Sequence, residues 1–401
     1  MEKMTRIVLA LVLVSLWMAP ADAQKKEIEN ARTIIKSGKD FDKAEKLMTD
    51  LLAKDADNRD NPKIYLTWFD AVKGQFSQAN EKLYLKQKYD TAAFFNLTKR
   101  LYDIAETLDS IDARPDKKGR VRPSYRKDHA AELDQLRANL YFGGTYHIRK
   151  NEYAEAFAFM AHYLDTDVQP LFTGYQYAAN DGRMPQAAYW ATFCGYRLQD
   201  ADMTLRYSQL ARKDTAKLQF TLQYLAEAYH RTSQEQLYVE TLREGFRAFP
   251  EYPYFFPRLA DYYTAKGRND SVLVIADYGL AVNGNNALYQ LAKSIALLNL
   301  ERYDECIAIS REMIAKNDTL PEPYFNMATC YLNQALELEQ KNEPRLYRQQ
   351  LQKLYADARP YMETYRRLMP DDSQRWAPAL YRIYLNLNMG RQFDEIDRLL
   401  K

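Results

Sequence analysis

The chain has 401 residues, 47% hydrophobic and 27% charged, the balance of a folded, soluble protein and not of a disordered one. With 56 Lys and Arg against 54 Asp and Glu, the net charge is +2, which excludes a global pull toward nucleic acid or an anionic membrane. The 13 glycines leave few positions for positive φ and tight hairpins, while 32 tyrosines supply flat rings that pack between helices and keep their hydroxyls wet.

The chain opens "MEKMTRIVLALVLVSLWMAPADAQ". Lys3 and Arg6 form a positive head, Ile7 to Met18 an apolar core, and Ala21-Asp22-Ala23 the small residues a signal peptidase needs. A spanning helix needs about 20 apolar residues, so this core is too short to anchor the chain. The expectation is a signal peptide over 1–23, cleaved after Ala23, and a mature chain from Gln24 that is exported to the periplasm of a Gram-negative bacterium. No cysteine stands at the junction to be acylated, so the chain is not expected to be a lipoprotein. No later segment is apolar enough to span a membrane after cleavage.

From Gln24 the pattern is helical. "FDKAEKLMTDLL" from Phe41 and "YDTAAFF" from Tyr89 carry short amphipathic periods within an N-terminal region, 24–111. Residues 112–129, "DARPDKKGRVRPSYRKDH", hold two prolines and a glycine and read as a basic loop. Its Lys117, Lys118, Arg120 and Arg122, with Arg114, Arg126 and Lys127, make either a solvated loop or a candidate anion-binding one, for a wall polymer, lipopolysaccharide or acidic protein. Leu140, Gly143, Gly144 and His147 then pair with "YAEAFAF" from Tyr153, and 165–184 is irregular. Tyr189, Trp190, Phe193 and Tyr196 cannot share one helical face. They either pack against 165–184 or form an aromatic platform for a sugar ring or peptide.

Regularity is strongest from about 215 to 335. Leu222, Leu225, Ala226 and Tyr229 stand at i, i+3, i+4, i+7, as do Phe256, Leu259, Ala260 and Tyr263. Leu288, Leu291, Ala292 and Ile295 follow, then Tyr324, Met327, Ala328 and Tyr331. Each set is one face of a helix with a small residue at its third place. Second helices are predicted over Glu235 to Phe249, Asp270 to Val282 and Tyr303 to Lys316. Residues 333–369 lengthen one pair into two long helices joined near Pro344, and "FDEIDRLL" from Phe393 closes the chain.

These in-phase sets resemble the tetratricopeptide repeat, a 34-residue helix–turn–helix with the signature W-x2-L-G-x2-Y. "YDECIAI" from Tyr303 and "YAEAFAF" look like its second-helix opening. The resemblance implies an all-α fold, a right-handed α-solenoid of tetratricopeptide-like pairs with its core over 130–332 and a capping region over 333–401. A helix pair cannot bury its apolar face alone and so stacks on a copy of itself. The lengthened pair is similar to that of exported repeat proteins of the Bacteroidetes, and five Asp-Ser/Thr-apolar triplets, from Asp90, Asp109, Asp214, Asp270 and Asp318, look like their O-glycosylation acceptors or like helix caps.

The family binds partner segments in a concave groove lined by its first helices. On the face opposite the four sets stand Gln223, Tyr224 and Glu227, then Pro257, Arg258 and Asp261, then Tyr289, Gln290 and Lys293, then Phe325, Asn326 and Thr329. A groove of this kind implies a protein or peptide partner and a non-catalytic adaptor or scaffold, with an envelope glycan as the alternative ligand. One subtype clamps a terminal carboxylate; Arg258, Lys293 and Asn326 resemble part of that set, but its Lys–Asn pair is missing. No catalytic motif, metal spacing or cofactor signature occurs: the expectation is no enzyme, no metal and no cofactor. Cys194, Cys306 and Cys330 fit buried helix positions, with a Cys306–Cys330 bridge left open. His147 and His162 are placed to face each other across one helix pair.

Overall fold

The computed structural model describes residues 24–341 and 344–401; the signal peptide expected over 1–23 lies outside the described residues. Every described element is helical, as expected for an all-α chain. The chain divides into two compact units, one ending at Glu235 and the other running from Gln236 to Lys401.

In the N-terminal unit, helices α1 (residues 24–36) and α2 (Phe41–Lys54) bury Ile28, Ala31, Ala44 and Met48 against Ile64 and Ala71 of α3 (Pro62–Tyr84). Asn61 caps α3 by accepting from the Lys63 amide at 3.0 Å, and Pro62 occupies the first turn, where its missing N–H costs nothing. Helix α4 (Thr91–Asp112) starts at Asp90, whose carboxylate accepts from the Ala93 amide at 3.1 Å. It packs on α3 and on α5 (Arg126–Arg149), which pairs with α6 (Tyr153–Asp165). Beyond α6 come the short α7 (Tyr177–Asn180), α8 (Met184–Leu198), α9 (Ala201–Leu205), α10 (Ser208–Ala211) and α11 (Leu218–Arg231).

A buried arginine holds the irregular segment between α6 and α8. Arg137 stands in the apolar stripe of α5, between Leu133 and Leu140. Its guanidinium lies 3.8 Å from the ring centres of both Tyr163 and Tyr177. It donates to Thr166 Oγ1 at 2.9 Å, the Tyr163 carbonyl at 3.1 Å, and Asp181. Asp181 also accepts from the Tyr163 hydroxyl, and Tyr177 donates to Asp134 at 2.6 Å. Burial works to raise the Asp181 pKa, but the bonds from Tyr163, Arg137 and the Arg183 amide outweigh it and hold the carboxyl below its ordinary range.

The C-terminal unit is regular. Helices α12 (Glu235–Ala248), α13 (Phe255–Ala265), α14 (Asn269–Val282), α15 (Ala287–Asn299), α16 (Tyr303–Lys316) and α17 (Pro321–Gln340) alternate as first and second members of successive pairs. The three predicted second helices fall on α12, α14 and α16 to within a residue. Turns this short make neighbouring helices antiparallel. The glycines at 245 and 279 allow the closest approaches. A Cβ on Gly245 would sit 2.3 Å from the Phe255 ring, and one on Gly279 would sit 2.8 Å from the Tyr289 ring. Ring and glycine recur together 34 residues on, which is the packing rule of this unit. The long α18 (Pro344–Leu368) lies along α17, and α19 (Ser373–Asn386) and α20 (Gly390–Leu400) follow. Glu339 of α17 ties them by accepting from Tyr355 at 2.5 Å and from Arg382 at 2.6 Å.

Candidate functional site

The helical phase of α15 decides which side chains are open to a partner. The sequence reading put Leu288, Leu291, Ala292 and Ile295 in the core, and the structure corrects this. Leu288 is 46% exposed and Ile295 36%, while Tyr289, Gln290, Ser294, Ala296 and Leu297 are buried. The buried first-helix positions are therefore Leu222, Phe256, Gln290 and Tyr324, and every step is 34 residues. The misreading has a physical cause. Polar residues occupy core-facing places in α15 because each finds a partner, inside the core for Gln290 and Ser294 and at its edge for Lys293. Gln290 donates to the Gly284 carbonyl at 3.2 Å, and Lys293 pairs with Asp277 at 2.7 Å. Ser294 bonds Ser310 at 2.8 Å, lies 3.5 Å from Cys306 Sγ, and accepts from Asn326 at 2.9 Å.

The groove residues expected from sequence fare accordingly. Tyr289, Gln290 and Asn326 are core residues: the Tyr289 ring, 2% exposed, meets Phe256 edge-on at 4.6 Å, and its hydroxyl donates to the Pro250 carbonyl. Burial, with Glu251 near, raises its pKa. Tyr224 is likewise buried and stacks on Tyr196 at 4.4 Å, while Gln223 and Glu227 are half-buried. Arg258 lies over the Tyr254 ring at 3.8 Å and donates to the Tyr254 carbonyl at 3.3 Å. Phe325 is covered by Arg375 at 3.8 Å, whose guanidinium forms a bidentate pair with Glu322 at 2.9 Å; that pairing raises the Arg375 pKa. Asp261 is exposed.

What α15 presents instead is an apolar face: Leu288, Leu291 and Ile295, one turn apart. In register with it stand Tyr254 at the N-cap of α13, Pro257 and Asp261 on α13, and Glu322, Phe325 and Thr329 on α17. A hollow of about 160 Å³ opens beside this face, walled by Leu288, Leu291, Met313, Leu320, Pro321 and Pro323. The ring-and-glycine rule lapses there. Where Phe255 fills over Gly245 and Tyr289 over Gly279, the next register offers Pro323 and Met313.

The other candidates stand as follows. In the basic loop, Arg120 forms a bidentate bond with Asp116 at 2.8 and 3.0 Å, Arg114 pairs with Asp60 at 2.9 Å, and Arg126 grips the buried Asp109 at 2.7 and 2.8 Å. Lys117, Lys118 and Arg122 are exposed and make no ion pair among the described residues. Tyr189, Trp190 and Phe193 of α8 contact one another, and Phe193 meets Tyr153 at 5.8 Å and Tyr224 at 5.9 Å. The rings thus pack on α6 and α11, not against 165–184 as expected. His147 and His162 do not meet, since they stand at opposite ends of the α5–α6 pair; His147 bonds Glu152 at 2.6 Å and His162 bonds Glu106 at 3.1 Å. Of the five Asp-Ser/Thr triplets, Asp90 caps a helix through its side chain, whereas Asp109 is buried inside α4. The cysteines are free and buried; burial pushes the Cys194 thiol up to about 12, and contact with Cys306 together with burial pushes Cys330 up.

No protein-family model matches the chain, and no curated protein matches it. Solved structures do align. The C-terminal part of a TPR repeat-containing protein from Cytophaga hutchinsonii matches 64% of this chain and 92% of its own at 12% identity, with a TM-score of 0.42. Yeast Tom70 matches 91% of this chain and 89% of its own at 14% identity, with a TM-score of 0.34. The TPR2AB domain of yeast Sti1, solved with pHSP90, matches 78% and 99% at 15% identity, with a TM-score of 0.27. At such scores these likenesses say nothing of what this chain binds.

Proposed function

We propose that this chain is a non-catalytic adaptor of the tetratricopeptide type that holds a protein or peptide segment against the first helices of its C-terminal unit. The carrying observation is the apolar face of Leu288, Leu291 and Ile295 beside the hollow at Pro323. Apolar side chains grouped on a surface are costly in water and mark interaction sites. An amphipathic segment laying two aliphatic side chains on this face would remove Leu288 and Ile295 from water, and the exposed Asp261 would stand in register with Ile295 on α13.

The glycan reading has less support, because the Tyr189–Trp190–Phe193 rings are engaged with one another and with Tyr153 and Tyr224. Export rests on the positive head, apolar core and Ala21-Asp22-Ala23 of the sequence. No described helix is long and apolar enough to cross a membrane. Amino-terminal sequencing of the native protein tests export directly: a first residue of Gln24 supports it, and an intact Met1 sinks it.

The test of the adaptor reading is capture from detergent-solubilised envelope with chain 24–401 as bait, beside a Leu288→Asp/Ile295→Asp variant. Both positions are exposed, so the variant keeps its fold. A partner retained by the wild type and lost by the variant supports the reading. Identical capture by both refutes the face as the site.

A further inference from the structure

A second hollow in the C-terminal unit, of about 260 Å³, lies among α12, α13 and α14. Phe246, Leu259 and Tyr263 line it from α12 and α13, and Val274 and Tyr278 from α14. Val274 is 68% exposed and Tyr278 42%, so an apolar wall stands in solvent. The Tyr278 hydroxyl donates to the Arg247 carbonyl at 3.1 Å, fixing α14 to the end of α12.

Three guanidiniums surround this apolar hollow. Arg243 and Arg247 line it, and Arg243 Nε donates to the Tyr263 hydroxyl at 2.7 Å. Arg268 lies 5.4 Å from the centre of the Tyr263 ring. None of the three makes an ion pair among the described residues, although Glu240 and Glu244 lie beside Arg243 and Arg247 on the adjoining surface of α12. The contrast within the same unit is sharp, since Arg302, Arg366, Arg375 and Arg382 are each paired with a glutamate at 2.9 Å or less. Three arginines and two glutamates leave the rim positive.

We propose that this hollow is a docking site for an acidic peptide segment, with one bulky apolar side chain seated among Phe246, Tyr263 and Val274 and the carboxylates of flanking Asp or Glu on Arg243, Arg247 and Arg268. Ligand clefts that enclose whole small molecules run to about 300–1,000 Å³, so this volume suits a single side chain. Arginine presents a planar fork that matches a carboxylate with two parallel bonds, and it is weakly hydrated, so pairing at a half-apolar rim is favourable. The site is lined by α12, α13 and α14 and shares no lining residue with the face on α15.

The test is fluorescence anisotropy with chain 24–401 and a labelled peptide in which Leu-Phe is flanked on both sides by Asp and Glu. Arg247→Glu/Arg268→Glu is expected to weaken binding about tenfold or more, and Arg247→Ala/Arg268→Ala by a smaller factor. Replacing Leu-Phe by Ala-Ala, or raising salt from roughly 50 to 500 mM, is expected to weaken it about tenfold. Leu288→Asp/Ile295→Asp leaves it unchanged, which separates this site from the α15 face. Far-ultraviolet circular dichroism verifies that each variant is folded. The proposal is overturned by a Lys-flanked peptide binding equally well, by charge reversal without effect, or by no binding at about 1 mM peptide. Polygalacturonate binding at the arginines while Leu-Phe and Ala-Ala peptides bind alike would also overturn it, in favour of an anionic glycan.

Discussion

Both units seat rings over glycines, Phe41 over Gly74 and Phe159 over Gly143 in the N-terminal one, but only the C-terminal unit repeats the joint without interruption. In the C-terminal unit, Phe255 over Gly245 and Tyr289 over Gly279 repeat one joint after 34 residues, with a single added bond from the Tyr289 hydroxyl to the Pro250 carbonyl. In the N-terminal unit the repeat is interrupted after α6, and Arg137 reaches across from α5 to hold the interruption by two rings, a carboxylate, a hydroxyl and a carbonyl. A regular joint needs only small-beside-large complementarity, which sequence can duplicate. An irregular segment leaves backbone and side-chain polar groups that no neighbouring repeat satisfies, and a many-handed buried donor such as arginine answers that need. The consequence is unequal tolerance: the buried ion cluster fails as a whole, whereas a ring-and-glycine joint fails locally.

Removing the hub breaks the comparison most severely. Arg137→Ala removes a buried guanidinium stacked on two rings, leaves the half-buried Asp181 without its cation, and is expected to cost about 3 kcal/mol in urea unfolding. A loss below about 1 kcal/mol would mean that the rings alone hold the segment. In the regular unit, Tyr289→Ala is expected to cost about 3 kcal/mol, since a buried ring is lost and a cavity left over Gly279. Gly245→Ala forces a methyl into the Phe255 ring and is expected to cost about 1–3 kcal/mol. Gly279→Ala, where the nearest ring atom is farther away, is expected to cost less.

Acid sharpens the contrast further. The Asp181 pKa is held below its ordinary 3.8, so its contribution is present above that value and is lost as pH falls through the folded one. The wild type should therefore lose stability below about pH 4 by a route that Asp181→Asn lacks, and acid-unfolding midpoints of the two proteins check it. The smallest effect is expected at Leu288→Asp, within about 0.5 kcal/mol, because its side chain already meets water. A large loss there would return Leu288 to the core and restore the phase read from the sequence.

Much of this architecture was legible beforehand. The all-α class, the helix pairs, the second helices over α12, α14 and α16, and the core faces of α11, α13 and α17 follow from apolar residues at helical spacing. The candidate site was less legible, and α15 shows why. Two runs compete on that helix: Leu288, Leu291 and Ile295 are the more apolar, yet Gln290, Ser294 and Leu297 face inward. Hydrophobicity counts cannot see that Ser294, Ser310 and Asn326 satisfy one another across three helices, so the polar run looks exposed. The strict 34-residue step from Phe256 to Gln290 to Tyr324 was the available signal, and it outweighs the apolar count. Arg137 carried a fainter one, a lone charge in the apolar stripe of α5.

The amino-acid sequence by itself determined that this chain folds into repeated helix pairs, because periodicity and small-residue spacing act locally and recur. Tertiary structure alone decided which face of α15 is open, that Arg137 closes the irregular segment, and that Arg243, Arg247 and Arg268 gather round one hollow. Each of these depends on partners tens of residues away, and a hydrogen bond or an unpaired charge is defined only once those partners are in place.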